Sequence, residues 1–292
     1  FFMWQVDPTV VVGRNQSVES EVNTAYCRQH GVDVCRRKSG GGAIYADMGN
    51  VMFSVVSPGD DVAGAFARYL GRVVPALRAL GVPAKASGRN DVMVDGHKVS
   101  GTAFYRHAAH SIVHGTMLFD TDMANMAGCL TPSTDKLHTK GVASVPARIG
   151  LLKDYLSMDI ESFKHHVRNH LCDHCVQLTP ADDGNIHEIE RTYRAPSFLQ
   201  GANPACDFVH ALRVEHCGTV EARVRTFHGR IRAVDFTGDF FALTGLAPLQ
   251  AALAGTVLNE AAIRQAIADT PPERFIRHFQ ADDLITLLLN RS

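Results

Sequence analysis

The segment from Arg36 to Asn50, RRKSGGGAIYADMGN, combines cationic side chains with three consecutive glycines. Glycines lack a Cβ, so backbone N–H groups can approach an anion closely, and Arg36, Arg37 and Lys38 supply charge-assisted donors. A phosphate or a carboxylate is the natural ligand. The segment has neither the Gly-Lys-Ser/Thr ending of a P-loop nor the dinucleotide-binding fingerprint. Taken alone, such glycines are more often a plain turn than an anion site.

A second segment, VMVDGHKVSG, carries the clearest local signal, because Asp95-Gly96 favours a two-residue type I′ hairpin turn. That turn predicts four cross-strand pairs: Val94 with His97, Met93 with Lys98, Val92 with Val99 and Asp91 with Ser100. The three valines fall mostly on one face, which indicates the core. Asp91 and Lys98 fall on the other, and their diagonal relationship predicts a separation of roughly 7 to 8 Å in a pocket.

The composition limits the classes of function. Lys and Arg number 29 against 30 Asp and Glu, for a net charge of −1, so no global basic field indicates nucleic acid or anionic lipid. The 292 residues are 46% hydrophobic, enough for a sizeable core, and no apolar run approaches a membrane span. The chain opens on FFMWQV rather than Met, so we expect a preceding segment. The expected location of the protein is the cytoplasm if the source is bacterial and the mitochondrial matrix if it is eukaryotic.

The cysteines are an odd number, seven, without framework spacing, which indicates reduced thiols. The one cluster, NHLCDHCV, brings Cys172 and Cys175 close to His170 and His174 and could contribute to a zinc site. No second ligand pair follows at finger spacing. We therefore favour the interpretation that this cluster continues a helix from about Ile160.

Apolar periodicity predicts a mixed α and β N-terminal domain over residues 1–190. The predicted strands are Phe1–Val6, Thr9–Val12, Val51–Val56 and Ile112–Phe119, and the predicted helices are Glu19–His30 and Val62–Leu80. The polar stretch Thr179–Pro204 is typical of a linker or boundary.

A second domain is predicted over residues 205–292. Its strands are Phe208–His216, Thr219–Phe227 and Arg230–Phe236, and its helices are Leu246–Ala254, Glu260–Ala268 and Ala281–Leu289. Strands followed by helices predict a small α+β unit.

Six motifs, in order over most of residues 1 to 155, closely resemble those of lipoate-protein ligases. Besides the glycine segment they are GRN at Gly13–Asn15, SGRNDVMV at Ser87–Val94, HKVSGTA at His97–Ala103, HGTML at His114–Leu118 and KGVASVPAR at Lys140–Arg148. The resemblance implies an α+β fold, with a mixed-sheet catalytic domain of the biotin/lipoate ligase type followed by a small accessory domain. GRIRAVDFTGDFF near the C-terminus resembles the accessory domain more weakly.

The resemblance also implies an activity. Members of the family consume ATP, usually with Mg²⁺, to make lipoyl-AMP, and then pass the lipoyl group to a lysine. The acceptors are lipoyl domains of 2-oxoacid dehydrogenase E2 subunits and the glycine-cleavage H protein. Neither nucleic acid nor a membrane is an expected partner.

The same resemblance assigns residues. Lys98 matches the catalytic lysine that touches both the α-phosphate and the lipoate carboxylate, which suits a step that joins two anions. The ATP and adenylate positions, besides Lys98, are Arg37, Gly42, Ala43, Ile44, Tyr45, Asn90 and Asp91. Asp91 would orient Lys98 or hold magnesium. Lipoate would be held by Lys98, Gly13 and Gly41, with Val12 and small residues near Gly101 around its apolar tail.

The sequence departs from the family pattern and leaves alternatives open. Ala46 replaces a common His, and RTYRAPSF, Arg191–Phe198, lacks the usual Trp. A lipoyltransferase that uses preformed lipoyl-AMP or lipoyl-protein has nearly the same motifs, and a non-catalytic lipoyl-domain binding module is a further reading. An octanoyltransferase needs a cysteine nucleophile, for which Cys129 is the best candidate. A biotin ligase is disfavoured because no GRGRxGR segment is present.

Overall fold

The computed structural model describes residues 1–59, 61–87, 90–131, 149–201 and 205–290. The chain forms two compact units. The N-terminal unit comprises Phe1–Val12, Glu19–Arg37 and Ala43–Leu199, and the C-terminal unit comprises Gly13–Val18, Lys38–Gly42 and Gln200–Ser292. Two short loops from the first half of the sequence therefore belong to the C-terminal unit, although the boundaries predicted at 1–190 and 205–292 do not include them.

The strands of the N-terminal unit are β1 (Phe2–Trp4), β2 (Thr9–Val12), β3 (Asp33–Arg36), β4 (Ile44–Ala46), β5 (Asn50–Pro58), β6 (Lys85–Ala86), β7 (Asp91–Val94), β8 (His97–His107) and β9 (His110–Leu118). Its helices are α1 (Val18–Glu21), α2 (Thr24–Gln29), α3 (Val62–Ala79), α4 (Met123–Cys129), α5 (Ile160–Leu171), α6 (Pro180–Arg194) and α7 (Pro196–Gln200), with a 3₁₀ turn at Leu152–Asp154. The four strands and the helix Val62–Leu80 predicted for this unit are confirmed to within a few residues at their ends.

Two sheets form the frame of the N-terminal unit. The larger has the strand order β1-β5-β9-β8-β7-β6, and all its pairs are antiparallel. The smaller has the order β3-β2-β4, in which β2 pairs with β3 in parallel and with β4 antiparallel. The α+β class is confirmed, and the mixing of strand directions is confined to the smaller sheet.

Helix α3 covers one face of the larger sheet. Asp61 caps its N-terminus by accepting a hydrogen bond from the Gly64 N–H at 3.0 Å. Its buried residues recur at helical spacing and pack against Phe53 and Phe163, whose rings are 6.3 Å apart. One sheet face is therefore core, and the opposite face is available for the functional side chains.

The predicted hairpin is present, with a register that differs from the prediction. Asp95 and Gly96 have φ of 47° and 82°, which fits the type I′ turn. Met93 pairs with Lys98 as predicted, but a bulge follows, so the two outer pairs are Val92 with Ser100 and Asp91 with Gly101. The prediction of Val92–Val99 and Asp91–Ser100 is wrong, because β8 carries one extra residue there. All three valines are fully buried, as predicted.

The polar stretch Thr179–Pro204 is largely helical where a linker was predicted. Thr179 and Asp182 form a capping box at the start of α6, and Pro180 occupies its first turn. The composition of this stretch is polar because the helix has no buried residues. Ion pairs at i,i+4 spacing, such as Arg194–Glu190 at 2.7 Å, lie on its surface. The linker prediction therefore mistook an exposed helix for a loop.

The predicted helix Glu19–His30 is divided into α1 and α2. Val22 bridges to Leu130 between them, and the Asn23 side chain caps α2 by accepting from Tyr26 N–H at 3.1 Å. The helix predicted from about Ile160 is confirmed, but it ends at Leu171 with Cys172 as its C-cap. The interpretation that the cluster continues the helix is therefore wrong for His174 and Cys175, which lie beyond its end. Over the described part of the chain, no cluster of three or more His, Cys, Asp and Glu could hold a metal ion, and no helix there has the length and apolarity to cross a membrane.

The C-terminal unit is an antiparallel sheet of three strands in chain order, covered on one face by helices. Its elements are β10 (Phe208–Val214), β11 (Gly218–Phe227), β12 (Arg230–Gly238), α8 (Ala247–Leu253), α9 (Glu260–Ala266) and α10 (Ala281–Leu289), with a 3₁₀ turn at Pro272–Arg274. The predicted strands and helices are confirmed, including the turn at His228 and Gly229. The core between sheet and helices includes the fully buried Phe240 and Phe279.

Candidate active site

The hairpin of β7 and β8 places an ammonium beside a carboxylate. Lys98 Nζ lies 2.9 Å from Asp91 Oδ1, and the side chains are 40% and 23% exposed. Oδ1 is itself buried and makes no well-aligned hydrogen bond, so this contact is an ion pair. The predicted diagonal neighbours are therefore in direct contact, closer than the backbone spacing alone indicated.

Gly101 explains how the lysine reaches the aspartate. Because the bulge moves Gly101 opposite Asp91, no side chain stands between the two strands at this position. A Cβ on Gly101 would lie 2.8 Å from Lys98 Nζ and 2.9 Å from its Cε. The lysine therefore lies across the glycine, and the glycine of the HKVSGTA motif makes room for the cation.

Neighbouring polar groups fix the backbone around this pair. The Gly101 N–H donates to Thr116 Oγ1 at 3.2 Å, which ties β8 to β9. Asn90 Nδ2 donates to the Thr102 carbonyl at 2.5 Å, and Thr102 Oγ1 donates to the Asn90 carbonyl at 2.5 Å. The Asn90 side chain, predicted to bind nucleotide, is thus engaged in joining the start of β7 to β8 within the hairpin.

His114 lies on the same sheet face as Gly101 and Thr116. It pairs with Ser54 on one side and Ala103 on the other. Burial, together with the positive charge of Arg37, lowers the pKa of His114 to about 4, so its imidazole is neutral at pH 7. Sequence reasoning gave His114 no role, although it opens the HGTML motif.

Arg37 follows β3 and is held in the smaller sheet. Its N–H donates to the Val12 carbonyl at 3.0 Å and its Nη1 donates to the Val11 carbonyl at 2.9 Å. Burial lowers the pKa of the guanidinium to about 10, which leaves it cationic at pH 7. Lys98 and Arg37 thus supply two cations, while His114, which is neutral at pH 7, lies on the face of the larger sheet that α3 leaves uncovered.

The glycines of the loop differ in what surrounds them. A Cβ on Gly40 would lie 2.4 Å from the Phe240 carbonyl oxygen, and Gly41 has φ +87° with its N–H donating to that oxygen at 3.4 Å. A Cβ on Gly13 would lie 2.0 Å from the Gly41 carbonyl oxygen. A Cβ on Gly42 would meet no atom within 4 Å. Close backbone packing therefore requires Gly13 and Gly40, whereas Gly42 has open space in front of it.

The strand after the loop, β4, pairs antiparallel with β2. Ala43 and Ile44 are partly buried, while Tyr45 is 2% exposed, and burial together with the nearby Asp47 carboxylate raises the pKa of its phenol. Ala46 is fully buried, so its methyl group fills core space where the family commonly has His.

Cys129 does not form a nucleophilic site. It is fully buried on α4, and burial, together with its contact with Cys27, raises its pKa to about 12. A thiol with that pKa stays protonated at neutral pH, which argues against the octanoyltransferase alternative. The motif at Lys140–Arg148 lies outside the described residues.

Comparison with known proteins identifies both halves of the chain. Residues 1–172 match the model of the lipoyl protein ligase A/B catalytic domain, and residues 203–288 match that of the bacterial lipoate protein ligase C-terminus. The chain is 30% identical to lipoate-protein ligase LplJ of Bacillus subtilis, over 96% of this chain and 88% of that protein. It is also 30% identical to lipoate–protein ligase 1 of Staphylococcus aureus, over 99% of this chain and 90% of that protein.

Solved structures share the fold. LipL1 of P. falciparum, in complex with lipoate, superposes with a TM-score of 0.79 at 20% identity, over 99% of this chain and 86% of that one. A bipartite lipoate protein ligase of Thermoplasma acidophilum gives a TM-score of 0.62 at 25% identity, over 70% and 85%. A lipoate-protein ligase A bound with ATP gives 0.60 at 25% identity, over 68% and 84%. The chain belongs to the lipoate-protein ligase family.

Proposed function

We propose that this enzyme activates lipoate with ATP and transfers the lipoyl group to a lysine of an acceptor protein. The observation that carries this proposal is the Lys98 ammonium, fixed 2.9 Å from Asp91 across the bare Cα of Gly101. We infer the substrates of this site, ATP and lipoate, from the family membership and from the resemblance of HKVSGTA to the ligase motif.

In the first step a lipoate carboxylate oxygen attacks the α-phosphorus of ATP, and pyrophosphate leaves. Two anions must approach each other, and a fixed ammonium between them lowers their repulsion and stabilises the charge that develops on phosphorus. Asp91 orients the ammonium through the ion pair. Arg37, cationic and anchored on the Val11 carbonyl, supplies a planar guanidinium for phosphate oxygens.

In the second step the neutral ε-amine of the acceptor lysine attacks the carbonyl carbon of lipoyl-AMP. The tetrahedral intermediate expels AMP, and the amine loses its proton as the amide forms. The carbonyl oxygen and the departing phosphate both carry negative charge, so Lys98 serves this step as well.

Magnesium fits the site only as an ion carried by the nucleotide. The carboxylate assigned to it, Asp91, is paired with an ammonium at 2.9 Å, and the described residues hold no metal-binding cluster. Mg²⁺ commonly binds through one or two carboxylates together with substrate phosphates. It would shield phosphate charge there, beside Asp91.

The acceptors we propose are lipoyl domains of 2-oxoacid dehydrogenase E2 subunits and the glycine-cleavage H protein. The T. acidophilum ligase, solved in a study of that enzyme and its E2 lipoyl domain, supports the first class. Lipoate and ATP as substrates are supported by their presence in the structures of the P. falciparum and ATP-bound relatives.

The deciding experiment incubates the protein with ATP, Mg²⁺, lipoate and an apo lipoyl domain, and follows the acceptor by intact mass. We expect the mass of one lipoyl group per acceptor and pyrophosphate release that depends on lipoate. Transfer from preformed lipoyl-AMP without lipoate-dependent pyrophosphate release would identify a lipoyltransferase. Binding of the acceptor without either reaction would identify a binding module.

A further inference from the structure

The glycine loop, defined as Lys38–Gly42, packs with Gly13–Val18 and the end of β12 in the C-terminal unit. All three segments meet at the carbonyl oxygen of Phe240. This oxygen accepts from the Gly41 N–H and from Asn15 Nδ2, each at 3.4 Å. Both bonds are longer than the roughly 2.7 to 3.2 Å typical of N–H···O bonds, and the two lone pairs of the carbonyl oxygen can accept both.

Asn15 also joins the segments through its backbone. Its carbonyl accepts from the Gly238 N–H at 2.8 Å, and the preceding Arg14 N–H donates to the Ser39 carbonyl at 2.8 Å. The segment Arg14–Asn15 therefore bridges the glycine loop to β12. The Asn15 side chain donates to the Phe240 carbonyl and the Asn15 carbonyl accepts from the Gly238 N–H, so both contact the short segment from Gly238 to Phe240.

The anchor itself cannot move easily. Phe240 is fully buried in the core of the C-terminal unit, so its backbone is fixed by the packing of its ring. Gly40 and Gly13 have no room for a Cβ against the Phe240 and Gly41 carbonyl oxygens. The shape of the loop is thus set by a core residue about two hundred positions later in the chain.

This arrangement has a chemical consequence for anion binding. The Gly41 N–H points to Phe240, so this donor holds the loop in shape and does not face a ligand. At Gly42, by contrast, a Cβ would meet no atom within 4 Å. A phosphate approaching the loop would meet the chain at Gly42 in an orientation that the Phe240 contacts determine.

We propose that Asn15 is a positioning residue for the nucleotide, which acts by holding the glycine loop against the Phe240 carbonyl. The inference rests on the proposed ATP-dependent function, because it assigns the loop to the phosphates of ATP. Asn15 donates to a carbonyl and touches no substrate. Its contribution lies in preorganising the loop, which lowers the conformational cost of binding.

The test uses Asn15→Ala and Asn15→Asp in the full-length protein. Hydrogen–deuterium exchange of the peptide covering residues 38–42 should become faster in both variants. In the pyrophosphate assay, Asn15→Ala should raise KM for ATP about twofold to tenfold, the effect of one lost hydrogen bond, with kcat and KM for lipoate nearly unchanged. Asn15→Asp should be worse than Ala, because its carboxylate faces the Phe240 oxygen without a proton to donate.

Asn259→Ala is the matched control. Asn259 caps α9 in the same unit by accepting from the Ala262 N–H at 2.9 Å, so its loss should lower Tm without changing loop exchange or KM for ATP. Unchanged exchange in residues 38–42 would overturn the proposal, whatever the activity. So would an unchanged KM for ATP, or an Asn15→Asp variant that is milder than Ala. A wild-type protein that releases no pyrophosphate would instead overturn the proposed function, while the exchange measurement still tests the anchor.

Discussion

Lys98 Nζ lies 2.9 Å from Asp91 Oδ1, and both atoms lie within 4 Å of the place that a Cβ on Gly101 would occupy. Lys98, Asp91 and Gly101 therefore form one unit, because the Lys98 ammonium occupies space that a side chain on Gly101 would fill. The ion pair is partly exposed, so its contribution to stability is small, about 1 kcal/mol or less. Its consequences should appear in catalysis.

Lys98→Ala should fold normally and lose both half-reactions. Removing one preorganised cation costs on the order of 10² to 10³ in rate, and we expect that loss in pyrophosphate release and in transfer from supplied lipoyl-AMP. Lys98→Arg should restore little, because a longer planar group cannot place its charge at the same point. Lys153→Ala, which removes a surface ion pair with Asp120, is the control and should leave both rates unchanged. Near-normal transfer by Lys98→Ala would restrict Lys98 to ATP binding.

Gly101→Ala tests the same unit without touching a charge. The new methyl group would meet the flexible end of the Lys98 side chain, which can move aside, so Tm should change by only a few degrees. The displaced ammonium should lower the rate of adenylation by about tenfold or more, since preorganisation depends on sub-ångström placement. Gly71→Ala in α3, where a Cβ meets no atom within 4 Å, should raise stability slightly and leave the rate alone. Full activity of Gly101→Ala would mean that Lys98 is not used in its observed position.

Arg37→Lys should raise KM for ATP more than it slows transfer from lipoyl-AMP. A guanidinium presents several N–H donors in one plane to phosphate oxygens, whereas an ammonium is a single point charge. Steady-state assays of the two half-reactions, with the exposed Arg191→Lys as control, measure the difference. Equal losses in both would argue against a role specific to the triphosphate.

His114 predicts a pH dependence of stability. The pKa of His114 is about 4 in the folded protein against the usual histidine value of 6.5, so the unfolded chain binds the proton more tightly. The stability associated with the neutral imidazole is fully present above about pH 6.5 and is lost as the pH falls toward 4. The loss is at most about 3 kcal/mol at the acid limit. Denaturant unfolding at pH 7 and pH 5 should show a smaller difference for His114→Gln than for the wild type.

Exposed His187 provides the control for that measurement. Its pKa is raised by the backbone carbonyl and then by the carboxylate of Asp183, so its effect on stability has the opposite sign and is weakened by solvent. His187→Gln should therefore not flatten the dependence on pH. A wild-type protein equally stable at pH 5 and pH 7 would contradict a buried neutral His114.

Short-range sequence signals determined much of this protein. Asp95-Gly96 specified its turn, since few residue pairs tolerate positive φ at two successive positions. Alternating valines specified which face of the hairpin is buried, and helical spacing specified α3 and α10. The six motifs were enough to indicate the family, because a motif is a local pattern of residue types and can be read without the fold.

The tertiary structure decided what local patterns leave open. The bulge that moves Asp91 opposite Gly101 lies where Val99 and Ser100 are both fully buried, and pairing rules alone cannot foresee it. The polar run at Thr179–Arg194 forms a helix through its caps and surface ion pairs, although its composition is typical of a loop. The burial that keeps His114 neutral and the carbonyl of Phe240 that anchors a loop near residue 40 both involve residues far apart in sequence. Such contacts exist only once the chain has folded, because burial and long-range hydrogen bonds are properties of the packed structure.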